Sequence, residues 1–241
     1  MLTSSHQINV NGITVDVVRK KIKNLHLAVY PPDGRVRVAV PLRIHDDAVR
    51  MAVLTRLSWI KDKQAKFQGQ VRQSERDYIS GESHYFMGQR YLLDVIVVNS
   101  KPRVMIKNNT TLEMHVLPTM TREEKEKLLY AWYRTSLKNI LPAMIEKWEG
   151  VIGESVKSWG IKRMKTRWGT CNPTARRIWL NLELAKKPLH CLEYVVVHEI
   201  VHLLERTHND RFKGFMTSFM PQWRHYRAEL NALPLAHETW E

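Results

Sequence analysis

Apolar positions in the first third of the chain alternate with polar ones, the period of a half-buried strand. Residues 8–10 and 13–18 flank Asn11-Gly12, a dipeptide that suits a tight hairpin because both residues tolerate positive φ. Residues 25–30 and 36–40 flank Pro31-Pro32-Asp33-Gly34, a second hairpin signal. The period then changes. Asp46 and Asp47 open a helix, which Val49, Val53, Leu54, Leu57 and Ile60 carry on one apolar face to about Gln70. Strand-like sequence returns over about residues 85–117. Thr121 and Glu124 form a capping box. It starts a long helix with Leu128, Leu129, Trp132, Leu137, Ile140 and Leu141 inward and a kink expected at Pro142. Past Gly153, strands are expected over 161–168 and 177–182, joined by a turn through Asn172-Pro173. Three helices follow, from about Pro188, Asn209 and Pro221. The pattern predicts an α+β protein. Its β-rich N-terminal part with a helix covers residues 1–120, and a domain with a small sheet and helices covers 121–241. A soft boundary lies near 118–121. No internal repeat is visible.

Composition narrows the classes. With 241 residues and 44% hydrophobic content the chain can fill one large core or two small ones. No stretch approaches the ~18 apolar residues of a membrane helix. Residues 1–12 lack the apolar segment of a secretory signal, so a cytoplasmic location is expected. The two cysteines, Cys171 and Cys191, are then expected as reduced thiols. The formal net charge of +14 suits anionic partners, namely nucleic acid, nucleotides or acidic proteins, although a basic solvated surface gives the same number.

The chemistry concentrates in residues 195–208, VVVHEIVHLLERTH. His198 and His202 stand four apart, so on a helix they share one face about 6 Å apart along the axis, and both imidazoles reach one metal ion. Glu199 follows the first histidine and lies to the side of that ion, where a general base for a zinc-activated water must sit. This is the HExxH pattern of zinc proteases. Val195, Val196, Val197, Ile200, Val201, Leu203 and Leu204 make the helix apolar nearly all round, hence buried. Three polar groups there cost several kcal/mol each unless they are paired or bind metal. Catalytic zinc takes three protein ligands and keeps a fourth position open. His208 is one candidate for the third, provided the helix ends after His202, with Thr207, Asn209 or Asp210 breaking it. An unbroken helix would turn His208 about 120° away from the metal face. Glu205 competes, because it lies on the same helix face as both histidines.

These residues resemble the YgjP-like metallopeptidase family, relatives of the SprT-like proteases among the zincins. The matching segments are RWGTC at 167–171, IWLN at 178–181 and YVVVHEIVHLLERTHNDRF at 194–212. VYPPDGRVRVAVP at 29–41, WIKDK at 59–63 and SGESHYFMGQRYLL at 80–93 carry the likeness through the N-terminal half. The resemblance implies a zincin-like C-terminal domain with Zn2+ held by His198, His202 and His208 and with Glu199 as base. Glu205 is then left in the second shell or the cleft wall. Two departures stand out. Thr170 replaces the usual Ser and keeps a hydroxyl. Position 205 is Glu, where metzincins with this histidine spacing place a turn-forming Gly.

Residues 157–187 hold nine Lys or Arg and one acid, Glu183. Arg163, Lys165 and Arg167 alternate, so on the expected strand they share a face that suits an anionic substrate. Arg167 is equally suited to an oxyanion and to a structural ion pair. Trp168 and Trp179 read as core, Cys171 as bystander, and Asn181 as a second-shell group that orients a ligand histidine. The reaction implied is zinc-dependent hydrolysis of a peptide or protein. Hydrolysis of a nucleotide phosphoanhydride is the alternative. A basic nucleic-acid-binding module with structural zinc is the second, and Glu199 argues against it.

Overall fold

Asn11 and Gly12 both take positive φ, 50° and 80°, and close the hairpin of β1 (Ser4–Val10) and β2 (Ile13–Lys20) as the dipeptide requires. The computed structural model describes residues 4–30, 33–68, 76–164 and 167–232. β3 (His26–Tyr30) pairs antiparallel with β4 (Arg35–Pro41), and β4 lies parallel to β2, giving the order β1-β2-β4-β3. Val15 and Val17 of β2 and Val36, Val38 and Val40 of β4 point to one fully buried face. Val49, Val53 and Ile60 belong to the same core. The single helix expected from Asp46 is two, α1 (Asp46–Leu54) and α2 (Leu57–Gln68). The hydroxyl of Thr55 donates to the Ala52 carbonyl at 3.1 Å, a local bond that competes with helix continuation. Pro31, Pro32 and the expected helix end at Gln70 fall outside the described residues.

The second sheet repeats that topology with unrelated sequence. β5 (Ser83–Phe86) and β6 (Gln89–Val97) form one antiparallel pair, β7 (Arg103–Ile106) and β8 (Thr111–Val116) another, and β6 lies parallel to β8. Leu93, Leu112, Met114 and Val116 bury in one core with Leu129, Tyr133, Leu137 and Leu141 of α3 (Arg122–Ile152). For that reason the boundary is not at 118–121. The chain separates into one compact unit within residues 1–73 and another spanning 74–233, and β5 to β8 belong to the second.

The capping box forms as expected: the Glu124 N–H donates to the Thr121 hydroxyl, and the Thr121 N–H donates to the Glu124 carboxylate at 2.8 Å. The helix continues through Pro142 and ends at Gly153, whose φ of 76° suits a residue without Cβ. The small sheet follows in the order β10-β11-β9, from β9 (Ser158–Lys162), β10 (Gly169–Asn172) and β11 (Arg177–Asn181). A short 3-10 helix (Leu182–Lys186) leads to α4 (Leu189–Val201). α5 (Asp210–Phe219) and α6 (Trp223–Ala232) complete the unit.

α4 packs against α3, α6 and β10. Leu192, Val196, Val197, Ile200 and Val201 are fully buried, each stabilising the fold by roughly 1.5–3 kcal/mol. Two further contacts hold it. Lys147 Nζ and Trp148 Nε1 of α3 both donate to Glu193 Oε1, at 2.7 and 2.9 Å. The β5–β6 turn sits on its start: Met87 N–H donates to the Ala185 carbonyl at 2.9 Å, and a Cβ on Gly88 would stand 2.8 Å from Pro188.

Candidate metal centre

α4 stops where the His208 argument needs it to stop. Leu203 and Leu204 N–H donate back three residues to Ile200 and Val201, a tightened last turn, and His202 is the helix cap. Asn209 then caps α5, its side chain accepting from Phe212 N–H at 2.9 Å. The short connection swings His208 back over the helix. Its Nε2 lies 2.9 Å from Nε2 of His198. The ring centroids of His198, His202 and His208 stand 4.7–4.9 Å apart in a triangle, and their ligand-capable nitrogens all fall within 4.8 Å of one another. Phe212, 2% exposed, packs against all three rings at 4.7–5.0 Å.

The rings are set up as neutral donors. His202 Nδ1 lies 3.0 Å from the Glu205 carbonyl, which fixes that nitrogen as the N–H and leaves Nε2 with its lone pair. Burial drives the His198 imidazole down to about 3, and the neighbouring His202 and His208 push the same way. Burial also lowers His202 and His208. Three converging neutral imidazoles, with no Cys or carboxylate closing the set among the described residues, fit a borderline-soft divalent ion with an open position. A second donor-bearing group, His190, Cys191 and Glu229, is already joined internally by a 2.7 Å hydrogen bond between His190 and Glu229.

Glu199 is 4% exposed and faces β10 beside the cluster. Burial raises its carboxyl to about 8, against the opposing pull of Arg167. A cleft of about 550 Å3 opens over Glu199 and the three histidines. The edge strand β10 borders it with Gly169, Thr170 and Cys171, and Arg167, Trp168, Tyr194 and Arg206 complete the rim.

Residues 23–233 match the family described as "YgjP-like, metallopeptidase domain". The chain belongs to the YgjP-like metallopeptidase family. The match runs through both compact units, as the resemblance in the N-terminal half implies. No curated protein matches. Among solved structures, the metallopeptidase zymogen jannalysin of Methanocaldococcus jannaschii is similar at 16% identity and a TM-score of 0.32, over 36% of this chain and 90% of its own. So distant a likeness carries no argument.

Within this YgjP-like metallopeptidase the structure brings together His198, Glu199, His202, His208 and Arg167, and separates the others. The strand expected over 161–168 ends at Lys162, so the shared basic face does not form. Arg163 instead pairs with Glu126 at 3.1 Å and lies over the Tyr130 ring. Lys165 lies outside the described residues. Asn181 does not orient a histidine. Its Nδ2 donates to the Met164 and Arg167 carbonyls at 2.7 and 2.8 Å, and its Oδ1 accepts from Met164 and Glu183 N–H. It therefore clamps the segment that carries Arg167. Glu205 meets His202 through its backbone carbonyl, while its carboxylate accepts from the Thr207 N–H and hydroxyl, which hold it below the usual range. Trp168 is half-buried over the cleft rim. Trp179 stacks on Gly160, with Lys162 3.7 Å from its ring centroid. Sequence reasoning missed Phe212, Gly169, Tyr194 and Arg206. Phe212 was open to inference, because it sits three residues into a helix capped by Asn209; the rest depend on which strand borders the cleft.

Proposed function

We propose that this protein is a zinc-dependent peptidase in which His198, His202 and His208 hold the metal and Glu199 is the general base. The observation that carries the reading is a buried carboxyl beside three convergent neutral imidazoles, at the floor of a cleft bordered by an edge strand. A zinc ion held there supplies the Lewis acidity that polarises a carbonyl and acidifies water. Glu199 takes the proton of the attacking water and returns it to the leaving amine. Burial suits both halves of that exchange, because it brings the carboxyl's proton affinity close to neutral pH. The free N–H and C=O groups of β10 are placed to pair with an extended peptide.

A structural zinc site is usually closed by four ligands and has no use for a buried base. The test is Glu199→Gln, assayed on peptides and on nucleoside triphosphates alongside metal analysis. Peptide cleavage should vanish while zinc content stays at about one equivalent. Loss of the metal with the substitution would reject the role given to Glu199. Hydrolysis of triphosphates alone by the wild-type protein would reject the peptidase.

A further inference from the structure

Two arginines bear on the cleft, and among the described residues neither forms a side-chain ion pair, although Arg167 is near enough to the buried Glu199 to oppose the rise in its proton affinity. Arg167 and Arg206 line it directly. Elsewhere in the same unit comparable arginines are neutralised: Arg163 pairs with Glu126, and Arg176 with Glu154 at 2.6 Å. Among the described residues no such pair forms at Arg167 or Arg206. The acid beside Arg206 in sequence, Glu205, has its carboxylate turned to Thr207. Among the described residues Glu199 is the only carboxyl lining the cleft, and it is buried.

The imbalance grows once the metal is considered. The histidines are neutral donors, so a divalent ion would bring its full charge to a concave, partly desolvated site already lined by two arginines. Like charges so placed repel, and the field they focus draws in an anion. Arg167 and Arg206 reach the cleft from different elements, one from the segment before β10 and one from the turn after α4. Two such forks lining one cavity suit a planar carboxylate.

Resting on the peptidase reading, we propose that the preferred substrate carries a carboxylate close to the scissile bond, held by Arg167 and Arg206. Two sources supply that group, an acidic side chain or the free C-terminus of a peptide.

The experiment measures binding of fluorescent peptides to zinc-loaded Glu199→Gln protein, and their cleavage by wild type. One peptide is neutral and amidated. A second contains Asp or Glu and is amidated. A third is neutral with a free C-terminus, and a nucleoside triphosphate serves as a further probe. At least one carboxylate-bearing peptide should bind about tenfold or more tightly than the neutral amidated one, by a margin that shrinks with salt. The second and third peptides identify the source. Arg167→Gln and Arg206→Gln should each remove most of the preference at unchanged zinc content and unchanged melting temperature, and Arg→Lys at either position should restore part of it. Equal affinity for all three peptides would overturn the proposal. So would arginine-dependent binding of the triphosphate with no such dependence for any peptide. Arginine-dependent binding of acidic peptides that wild type never cleaves would support the carboxylate site and reject the peptidase reading instead.

Discussion

A Cβ atom on Gly169 would stand 2.5 Å from Oε1 of Glu199. The edge strand therefore lies against the proposed base so closely that only a hydrogen fits between them. The contact fixes where the carboxyl points, because Glu199 has little exposed surface into which to move. Gly169→Ala is expected to displace the carboxyl and lower kcat about a hundredfold, the scale of loss that follows an ångström of misplacement. Zinc content and melting temperature should stay near wild type. Full activity in a correctly folded Gly169→Ala protein would show that the carboxyl position is not critical.

His208 and Glu205 make separable predictions. His208→Ala removes a nitrogen that stands 2.9 Å from His198 Nε2, so zinc affinity should fall by orders of magnitude. Glu205→Ala keeps the backbone carbonyl that fixes His202 and loses only the hydrogen bonds to Thr207. Its zinc affinity should change several-fold at most. Competition with a zinc indicator measures both, and the reverse ranking would transfer the third ligand to Glu205.

Asn181→Ala tests the clamp. The side chain is 3% exposed and ties two carbonyls and two N–H groups of the surrounding backbone. Leaving those groups unpaired should cost at least about 1–3 kcal/mol in urea denaturation. If Asn181 acts on the segment before β10 and not on a ligand, zinc affinity will be nearly unchanged. A selective loss of zinc with no loss of stability would restore the second-shell role.

Lys187 gives a pH dependence away from the metal. Burial lowers its ammonium from 10.5 to about 8, helped by Lys186 and opposed by Glu183 and Cys191. Between those two values the unfolded chain holds the proton and the folded one does not, so this group makes stability rise with pH across the window. Below about 8 the folded protein bears the cost of a buried charge. Lys187→Met should therefore be more stable than wild type at pH 7, with an advantage that fades toward pH 10.5. Parallel stability curves for the two proteins would exclude a depressed Lys187.

The four-residue spacing of His198 and His202, the apolar wrapping of their helix and the helix start near Asn209 were legible because each is a local property of the chain. So were both N-terminal hairpin signals, the capping box at Thr121 and the three C-terminal helices. That the helix must end after His202 if His208 is a ligand followed from the geometry of a regular helix. Longer-range pairing was not legible. Alternation identifies strands, but nothing local says that β2 lies parallel to β4 or β6 to β8, or that two sheets share one topology. The unit boundary was misplaced because it depends on which core the second sheet joins, and Leu93, Leu112 and Met114 bury as readily against one partner as another. For the same reason Arg163 and Arg167, four residues apart and alike in type, have different surroundings. One meets Glu126 across α3; the other, past the end of β9, borders the cleft. The sequence by itself determined the His198–His202 pair and the helix that carries it, since both follow from spacing along one backbone, whereas His208 joins them only through the turn after that helix. Only the tertiary structure decided that Gly169 touches Glu199 and that Arg206 shares a cleft with Arg167, because those contacts join residues separated by 30 or more positions, and the packing of whole elements sets them.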